Sequence, residues 1–446
     1  MRIILIQPAL EDFYSTPIRF YPLGLLYVAA VLQRCGHTVA VLDCLTPRRR
    51  NKKSVPPELQ YLQPLFRDNP YLFQAYYRFG AEDEDTFRRV QAWRPDLIGI
   101  SSQFTAYFDQ TASLARLLHQ RLRVPMILGG HHATAFSAEI QERLPFVHRV
   151  LTGPAESALP AFLQESGHDA AEAVEWRDLT PAHDLAPEGA YRIGKKNGMS
   201  LVASRGCPFR CDFCSVHAMF DRGISYRPVA AVIDEMRWNL IHKKVRVFNF
   251  EDDNLSWDRS WFIEFLHAVQ KDPELAQCEL TAMNGLSHGT LDEELLLEMK
   301  KAGFRQLNLA YVTGDTGLQK KYHRPGQVDF TALTAAARRL GFFVTAYVII
   351  GLPEQTYSEI KESIDYLLSL GVLVGPSVFY IPPASALYRR LPLTDAMRSQ
   401  WSLYRSSAFA VETEHVTREQ LVELFAYCRR RNLEQRENAK YIAANG

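Results

Sequence analysis

Met199-Ser200-Leu201-Val202-Ala203-Ser204-Arg205-Gly206-Cys207-Pro208-Phe209-Arg210-Cys211-Asp212-Phe213-Cys214 is the stretch on which the reading of this chain turns. A β-rich run, 199–203, opens through Ser-Arg-Gly onto three cysteines with Cys-x-x-x-Cys-x-x-Cys spacing. Thiolates on one short loop can reach three corners of a cubane iron–sulfur cluster and leave one iron without a protein ligand. An open coordination position lets a metal centre take up a further molecule, as open zinc sites do. The competing reading is a structural Cys3His zinc site with His217 as the fourth ligand. The loop directly follows a strand of a β/α series, where the carboxyl-terminal rim carries the chemistry, and that favours the cluster.

Downstream, β-rich runs at 199–203, 245–250, 279–282, 306–310, 343–349 and 372–379 alternate with helical patterns at 229–242, 257–270, 292–301, 330–340 and 357–370. Six strands with helices between them predict a partial, TIM-like (β/α)6 barrel over residues 197–385. Residues 386–446 read as a small, polar, helical carboxyl-terminal extension. Upstream, residues 169–196 form a linker broken by Pro181, Pro187 and Gly189. Residues 1–168 alternate strands at 2–7, 38–43, 97–101, 125–129 and 148–151 with helices at 22–34, 106–121 and 135–144. That rhythm predicts a doubly wound, Rossmann-like parallel sheet, whose ligands lie beyond the carboxyl ends of its strands. The aromatic segment 46–94 is too long for a simple connection and is expected to fold over the sheet edge.

Composition narrows the function classes. The chain has 446 residues, 47% apolar and 23% charged, and a formal net charge of +1. Nothing in that balance argues for nucleic acid or an acidic membrane surface. The one basic run, 48–53, reads as a solvated loop. No stretch has the ~18 or more apolar residues of a membrane span, and the apolar start, 3–6, is broken by Gln7-Pro8. A cytoplasmic location is expected. In that reducing compartment the 7 cysteines read as thiols or metal ligands. Cys35, Cys44, Cys278 and Cys428 stand alone and read as buried thiols.

The cysteine triplet resembles the signature of the radical S-adenosylmethionine superfamily, whose cluster binds and cleaves S-adenosylmethionine to a 5′-deoxyadenosyl radical. The resemblance implies that Phe213 lies beside the adenine. It also implies ligand contacts from Glu251, Asp252 and Asp253 in Phe250-Glu251-Asp252-Asp253-Asn254, from Asn284 in Asn284-Gly285-Leu286, from Thr313, and from Gly351 in Gly351-Leu352-Pro353-Glu354. The three carboxylates are read as hydrogen bonding to the ribose or amino group, with acid–base work as the other reading. One departure stands out: relatives carry Gly-Ile-Glu-Ser-Gly where this chain has Ala310-Tyr311-Val312-Thr313-Gly314, so Val312 replaces a glutamate. Arg205 and Arg210 flank the cluster and read either as holders of the methionine carboxylate or as surface charges at an electron-donor site. Tyr107, Tyr311 and Tyr347 read as cavity lining or plain core.

The first half is similar to the cobalamin-binding domain fused to one branch of that superfamily. Pro22-Leu23-Gly24-Leu25, Ser101-Ser102, Gly129-Gly130-His131-His132-Ala133-Thr134 and Gly153-Pro154-Ala155-Glu156 carry the similarity. It implies cobalamin contacts from Gly24, Ser101, Ser102, Gly129, Gly130, His131, Thr134, Gly153 and Glu156. Small residues at strand ends let a large planar ring lie against backbone. An Asp-x-His-x-x-Gly loop that would give cobalt a histidine is absent, its nearest echo being 321–326. The resemblance implies a 4Fe–4S cluster, S-adenosylmethionine and cobalamin as cofactors. It implies a small-molecule substrate and a reductase such as flavodoxin or ferredoxin, with no nucleic acid and no integral membrane segment. The activity implied is methyl transfer to an unactivated carbon. The alternatives are a ring-forming or rearranging enzyme, and a non-catalytic cobalamin sensor or carrier.

Overall fold

The computed structural model describes residues 1–445 except 17–20, 47–48, 169–173, 221–222 and 325–328; of residues 438–445 it describes the backbone. Arg48 of the basic run, the start of the expected linker and part of the 321–326 echo lie outside the described residues. No helix among the described residues is long and apolar enough to cross a membrane.

The first sheet is parallel throughout. It contains β1 (Arg2–Gln7), β2 (Thr38–Asp43), β3 (Leu97–Ser101), β4 (Met126–Gly129) and β5 (Arg149–Val150), in the order β2-β1-β3-β4-β5. Ile3, Ile4, Leu5 and Ile6 are all buried, because helices cover both faces and the strand needs no polar side. Helix α1 (Leu23–Arg34) turns Leu25, Leu26, Tyr27, Ala29 and Leu32 inward, and Gly36 at φ +77° ends it before β2. In this order the chain reverses direction between β1 and β3, which opens a crevice at their carboxyl ends.

Segment 46–94 does cover the edge, and it adds strands that periodicity did not predict. Leu10–Asp12 and Arg50–Lys53 pair antiparallel with Tyr76–Phe79. Phe13, Phe66, Phe73 and Tyr76 stack edge-on beneath them.

The second half has six parallel strands in chain order: β6 (Lys196–Leu201), β7 (Val247–Phe250), β8 (Glu279–Thr281), β9 (Gln306–Val312), β10 (Phe343–Ile350) and β11 (Leu373–Val378). The bridges Leu280↔Phe304 and Leu286↔Leu309 join its two three-stranded halves. Among the described residues β6 and β11 do not pair, so the barrel is open. β6 starts earlier than its apolar run suggested and ends at Leu201. The next amides, of Ala203 and Ser204, donate to the Asp252 carboxylate instead of a neighbouring strand.

The carboxyl-terminal segment is helical as expected, but it is not merely polar. Trp401, Leu403, Tyr404, Phe409, Leu421, Leu424 and Phe425 are buried. Arg405, sealed inside, donates to the carbonyls of Glu11 and Ala106, while the Ser407 hydroxyl donates to Asp12 at 2.6 Å. The last helix, α3 (Arg418–Asn445), packs along β11. The segment therefore bolts barrel and first sheet together.

Candidate active site

The three cysteines leave the barrel on a hairpin. Ser204–Cys207 pairs antiparallel with Gly223–Tyr226, with Cys207 opposite Gly223. Its start is pinned by Asp252, whose carboxylate accepts from the Ala203 amide at 3.1 Å and the Ser204 hydroxyl at 2.6 Å. Asp253 accepts from the Gly206 amide at 3.1 Å. Two carboxylates of the Glu-Asp-Asp run thus brace the loop, and burial pushes the Asp252 carboxyl up to about 7. Beyond the first cysteine, Asp212 accepts from His323 Nδ1 at 3.0 Å and from the Arg390 guanidinium. The Leu387 amide donates to the Asp212 carbonyl at 2.8 Å.

Cys207, Cys211 and Cys214 are free thiols. Cys211 is buried, Cys207 half-buried and Cys214 exposed. Partial desolvation pushes Cys207 and Cys211 up, and Cys207 and Cys214 each feel the charge of Cys211, so the three are near neighbours. Arg324 stands beside Cys211, and Asn254 Nδ2 lies 3.8 Å from Cys207 Sγ. His217 turns Nε2 to the Phe209 carbonyl at 2.8 Å. Among the described residues no three Cys, His, Asp or Glu side chains surround a single ion. Three thiols on one short loop, with His217 Nε2 turned to a backbone carbonyl, suit a cubane, whose corners are separate points each met by one thiolate, better than a Cys3His zinc site.

Facing this loop is the rim of the first sheet. Ser101 and Gly129 are register partners at the ends of β3 and β4. Gly130 follows at φ 121°, ψ −177°, a conformation essentially reserved to glycine. A Cβ there would sit 2.7 Å from the Ser102 carbonyl oxygen. The Thr134 hydroxyl donates to the Gly130 carbonyl at 3.0 Å and accepts from the Gly153 amide at 3.0 Å, tying two loops into one ledge. Gly24 and Gly153 differ from Gly130: among the described residues a Cβ on either meets nothing within 4 Å. The Ser102 hydroxyl is buried with no partner among the described residues. Open space over two glycines and an unsatisfied hydroxyl at strand ends fit a broad planar ring such as a corrin.

The two rims touch. His131 packs edge-on to Phe220 with ring centroids 6.2 Å apart, Thr134 Oγ1 lies 3.9 Å from Met219 sulfur, and Glu156 pairs with Arg205 at 2.9 Å. Sequence reading missed Phe220, Met219, Asn254 and Asp212, although Asp212 and Asn254 sit inside the motifs it quoted. Their partners lie far away in sequence, so spacing carries no sign of them.

Four of the residues expected at the cofactors are also engaged within the protein. Both Asp252 oxygens are occupied by the hairpin. Thr313 is buried, its hydroxyl accepting from the Asp315 amide at 3.2 Å and from Gln355 at 3.3 Å. Gly351 is glycine for packing: a Cβ would come 2.7 Å from Leu421 of α3. The Glu156 carboxylate is held by Arg205 at 2.9 Å. Phe213 packs beside Tyr322, centroids 6.1 Å apart, and Asn284 Nδ2 donates to the Asp252 carbonyl at 3.0 Å. Glu251 accepts from Asn249 at 2.6 Å. At the departure from the family pattern, Val312 sits at φ 72° on a bulge in β9, a strained geometry for a β-branched residue. Tyr107 is core, its hydroxyl donating to Asp12.

The radical SAM superfamily profile matches residues 201–367 and the B12 binding domain profile matches residues 15–163. The chain carries a B12-binding domain followed by a radical SAM domain. A radical SAM domain takes a 4Fe–4S cluster and S-adenosylmethionine, and a B12-binding domain takes cobalamin. The chain is 25% identical to the cytidylyl-2-hydroxyethylphosphonate methyltransferase of Streptomyces wedmorensis, over 91% of this chain and 84% of that one. It is 22% identical to an uncharacterized methyltransferase of Pyrococcus horikoshii, covering 95% and 90% respectively. Its fold is similar to that of the radical S-adenosylmethionine methyltransferase TsrM from Kitasatospora setae, solved with cobalamin and a [4Fe-4S] cluster bound. The TM-score is 0.63 at 16% identity, over 91% of this chain and 81% of the other.

Proposed function

We propose that this radical SAM enzyme transfers a methyl group to an unactivated carbon of a small molecule. The observation that carries the reading is the direct contact between the two rims, at His131–Phe220, Thr134–Met219 and Glu156–Arg205. It supports a reading in which a corrin on the ledge lies close to a cluster on the loop. When bound, the cluster and cobalamin supply radical-forming cleavage of S-adenosylmethionine and a transferable methyl group.

The protein's own part is to hold, orient and keep dry. Cys207, Cys211 and Cys214 would hold the cluster. Asp252 and Asp253 fix the hairpin, and with it the place of the three thiols at the barrel mouth. Phe213 offers a flat apolar face for adenine, while Glu251 and Asn284 offer polar groups on the rim for ribose or amino contacts. Gly24, Ser101, Gly129, His131 and Gly153 receive the corrin. In this assignment residues 1–168 and 197–385 are the two working units, 169–196 links them, and 386–446 clamps them. A reductase of the flavodoxin or ferredoxin type supplies the electron. The cluster's sensitivity to oxygen makes the reducing cytoplasm the proposed setting.

Anaerobically reconstituted protein, given S-adenosylmethionine, a reductant and candidate substrates, tests the reading. The phosphonate of the Streptomyces relative's name is the first compound to try. Formation of S-adenosylhomocysteine together with 5′-deoxyadenosine and a product heavier by one methylene supports methyl transfer. 5′-Deoxyadenosine alone, with a cyclised or rearranged product, replaces it with the ring-forming alternative.

A further inference from the structure

Arg205 lies two residues before Cys207, on the strand that delivers the cluster loop, and its guanidinium is enclosed in an aromatic cage. Its Cζ is 4.7 Å from the ring centroid of Tyr27, 4.5 Å from Trp176 and 5.7 Å from Phe220. Glu156 completes the cage at 2.9 Å, with the two side chains only 13% and 6% exposed. Each wall belongs to a different part of the molecule. Tyr27 is on α1, one turn after Gly24, so the two share a face of the helix. Glu156 is in the first turn of α2 (Ala155–Glu165), three residues after Gly153, where the positive end of the helix also favours its charge. Trp176 is in the connection between the halves, and its indole N–H donates to Ser225, the register partner of Arg205 in the hairpin, at 3.1 Å. Phe220 belongs to the cluster loop.

We infer that Arg205 is a positioning residue that sets the distance and angle between the corrinoid ledge and the cluster, with Glu156 as its counter-ion and not a corrinoid contact. This rests on the two-cofactor reading above. A guanidinium suits the task because its plane stacks on rings while its edge donates to a carboxylate; a lysine ammonium does only the second. The cage grips the helices that present Gly24 and Gly153 and is covalently two residues from the first cluster ligand. Any slack in it passes directly into the gap that a methyl group or a radical must cross. Proximity effects are steep in such a gap, since misplacement by about 1 Å can cost on the order of 100-fold in rate.

The test compares wild type, Arg205→Gln and Glu156→Gln as full-length chains loaded with cluster and cobalamin under anaerobic conditions. Iron, sulfide and corrinoid contents are measured first, and their absence from wild type would remove the two-cofactor reading itself. With loading established, pulsed EPR measures the separation of the reduced cluster and cob(II)alamin spins. Wild type is expected to give a single narrow separation. Both variants are expected to keep corrinoid and cluster at wild-type content while the separation broadens or splits. An unchanged distribution in both variants would overturn the inference. So would loss of corrinoid from Glu156→Gln with normal corrinoid in Arg205→Gln, because Glu156 would then be a cofactor contact.

Discussion

The cluster loop and the ledge facing it are built on opposite plans. The loop carries its three thiols within eight consecutive residues, Cys207 to Cys214, whereas the ledge gathers Ser101, Gly129, His131 and Gly153 from three separate strand ends and Gly24 from the first turn of α1. The loop works through side-chain donors, and each donor type leaves a mark in the sequence. The ledge works largely through absent side chains, and a glycine looks the same whether it opens space for a ligand or lets the chain bend. The difference implies that the two sites fail in different ways when altered.

The largest expected effect is on the loop. Replacing Cys211 with alanine should abolish the brown charge-transfer absorbance and all cleavage of S-adenosylmethionine, while corrinoid content stays at the wild-type level. Absorbance and product assays on the same anaerobic preparation check both halves. Simultaneous loss of corrinoid would mean that the ledge depends on a loaded loop, and the contrast between the two would break.

That contrast also accounts for what could be read from the sequence. The parallel sheet was legible because Ile3–Ile6 and Leu97–Ile100 are continuous apolar runs separated by helical periodicity, a pattern that survives burial on both faces. Leu10–Asp12, Arg50–Lys53 and Tyr76–Phe79 were not, since three short strands with charged or aromatic residues carry no period of two. Asp252 was legible as a site residue and illegible in its role. Nothing local shows that its carboxylate reaches back to the Ala203 and Ser204 backbone. Arg405 shows the same limit on a larger scale: its carbonyl partners at Glu11 and Ala106 lie in the other domain, so the segment around it looked like a polar tail.

The ledge can be dissected by two glycine substitutions that sequence alone treats as equivalent. Gly24 is exposed and faces open space, so Gly24→Trp should change folding stability by no more than about 0.5 kcal/mol while preventing corrinoid retention. Gly130 is confined by the Ser102 carbonyl and by its positive φ, so even Gly130→Ala should lose on the order of 1–3 kcal/mol of stability. Thermal unfolding of the apo-proteins and corrinoid titration separate the two cases. A stable Gly24→Trp chain that still binds corrinoid normally would remove α1 from the ledge.

A further effect comes from a residue behind the ledge, depends on pH and touches stability alone. His132 is sealed between Phe108, Phe136 and Trp401, and its Nδ1 lies 3.0 Å from the Thr105 hydroxyl. Burial, with Arg143 adding to it, depresses the ring's pKa to about 3 from the usual 6.5. Between those values the unfolded chain binds a proton that the folded chain refuses, so stability falls as pH drops below about 6.5 and is unaffected above it. From pH 7 to pH 5 this one group should remove about 2 kcal/mol, at 1.36 kcal/mol per unit below 6.5. His132→Phe leaves the aromatic packing but has nothing to protonate. The stability advantage of wild type over that variant should therefore shrink by about this amount across the range. Denaturant unfolding at both pH values checks it. A constant difference would mean that the ring is already charged at pH 7 or reaches solvent, and the wall behind the ledge would be softer than its burial indicates.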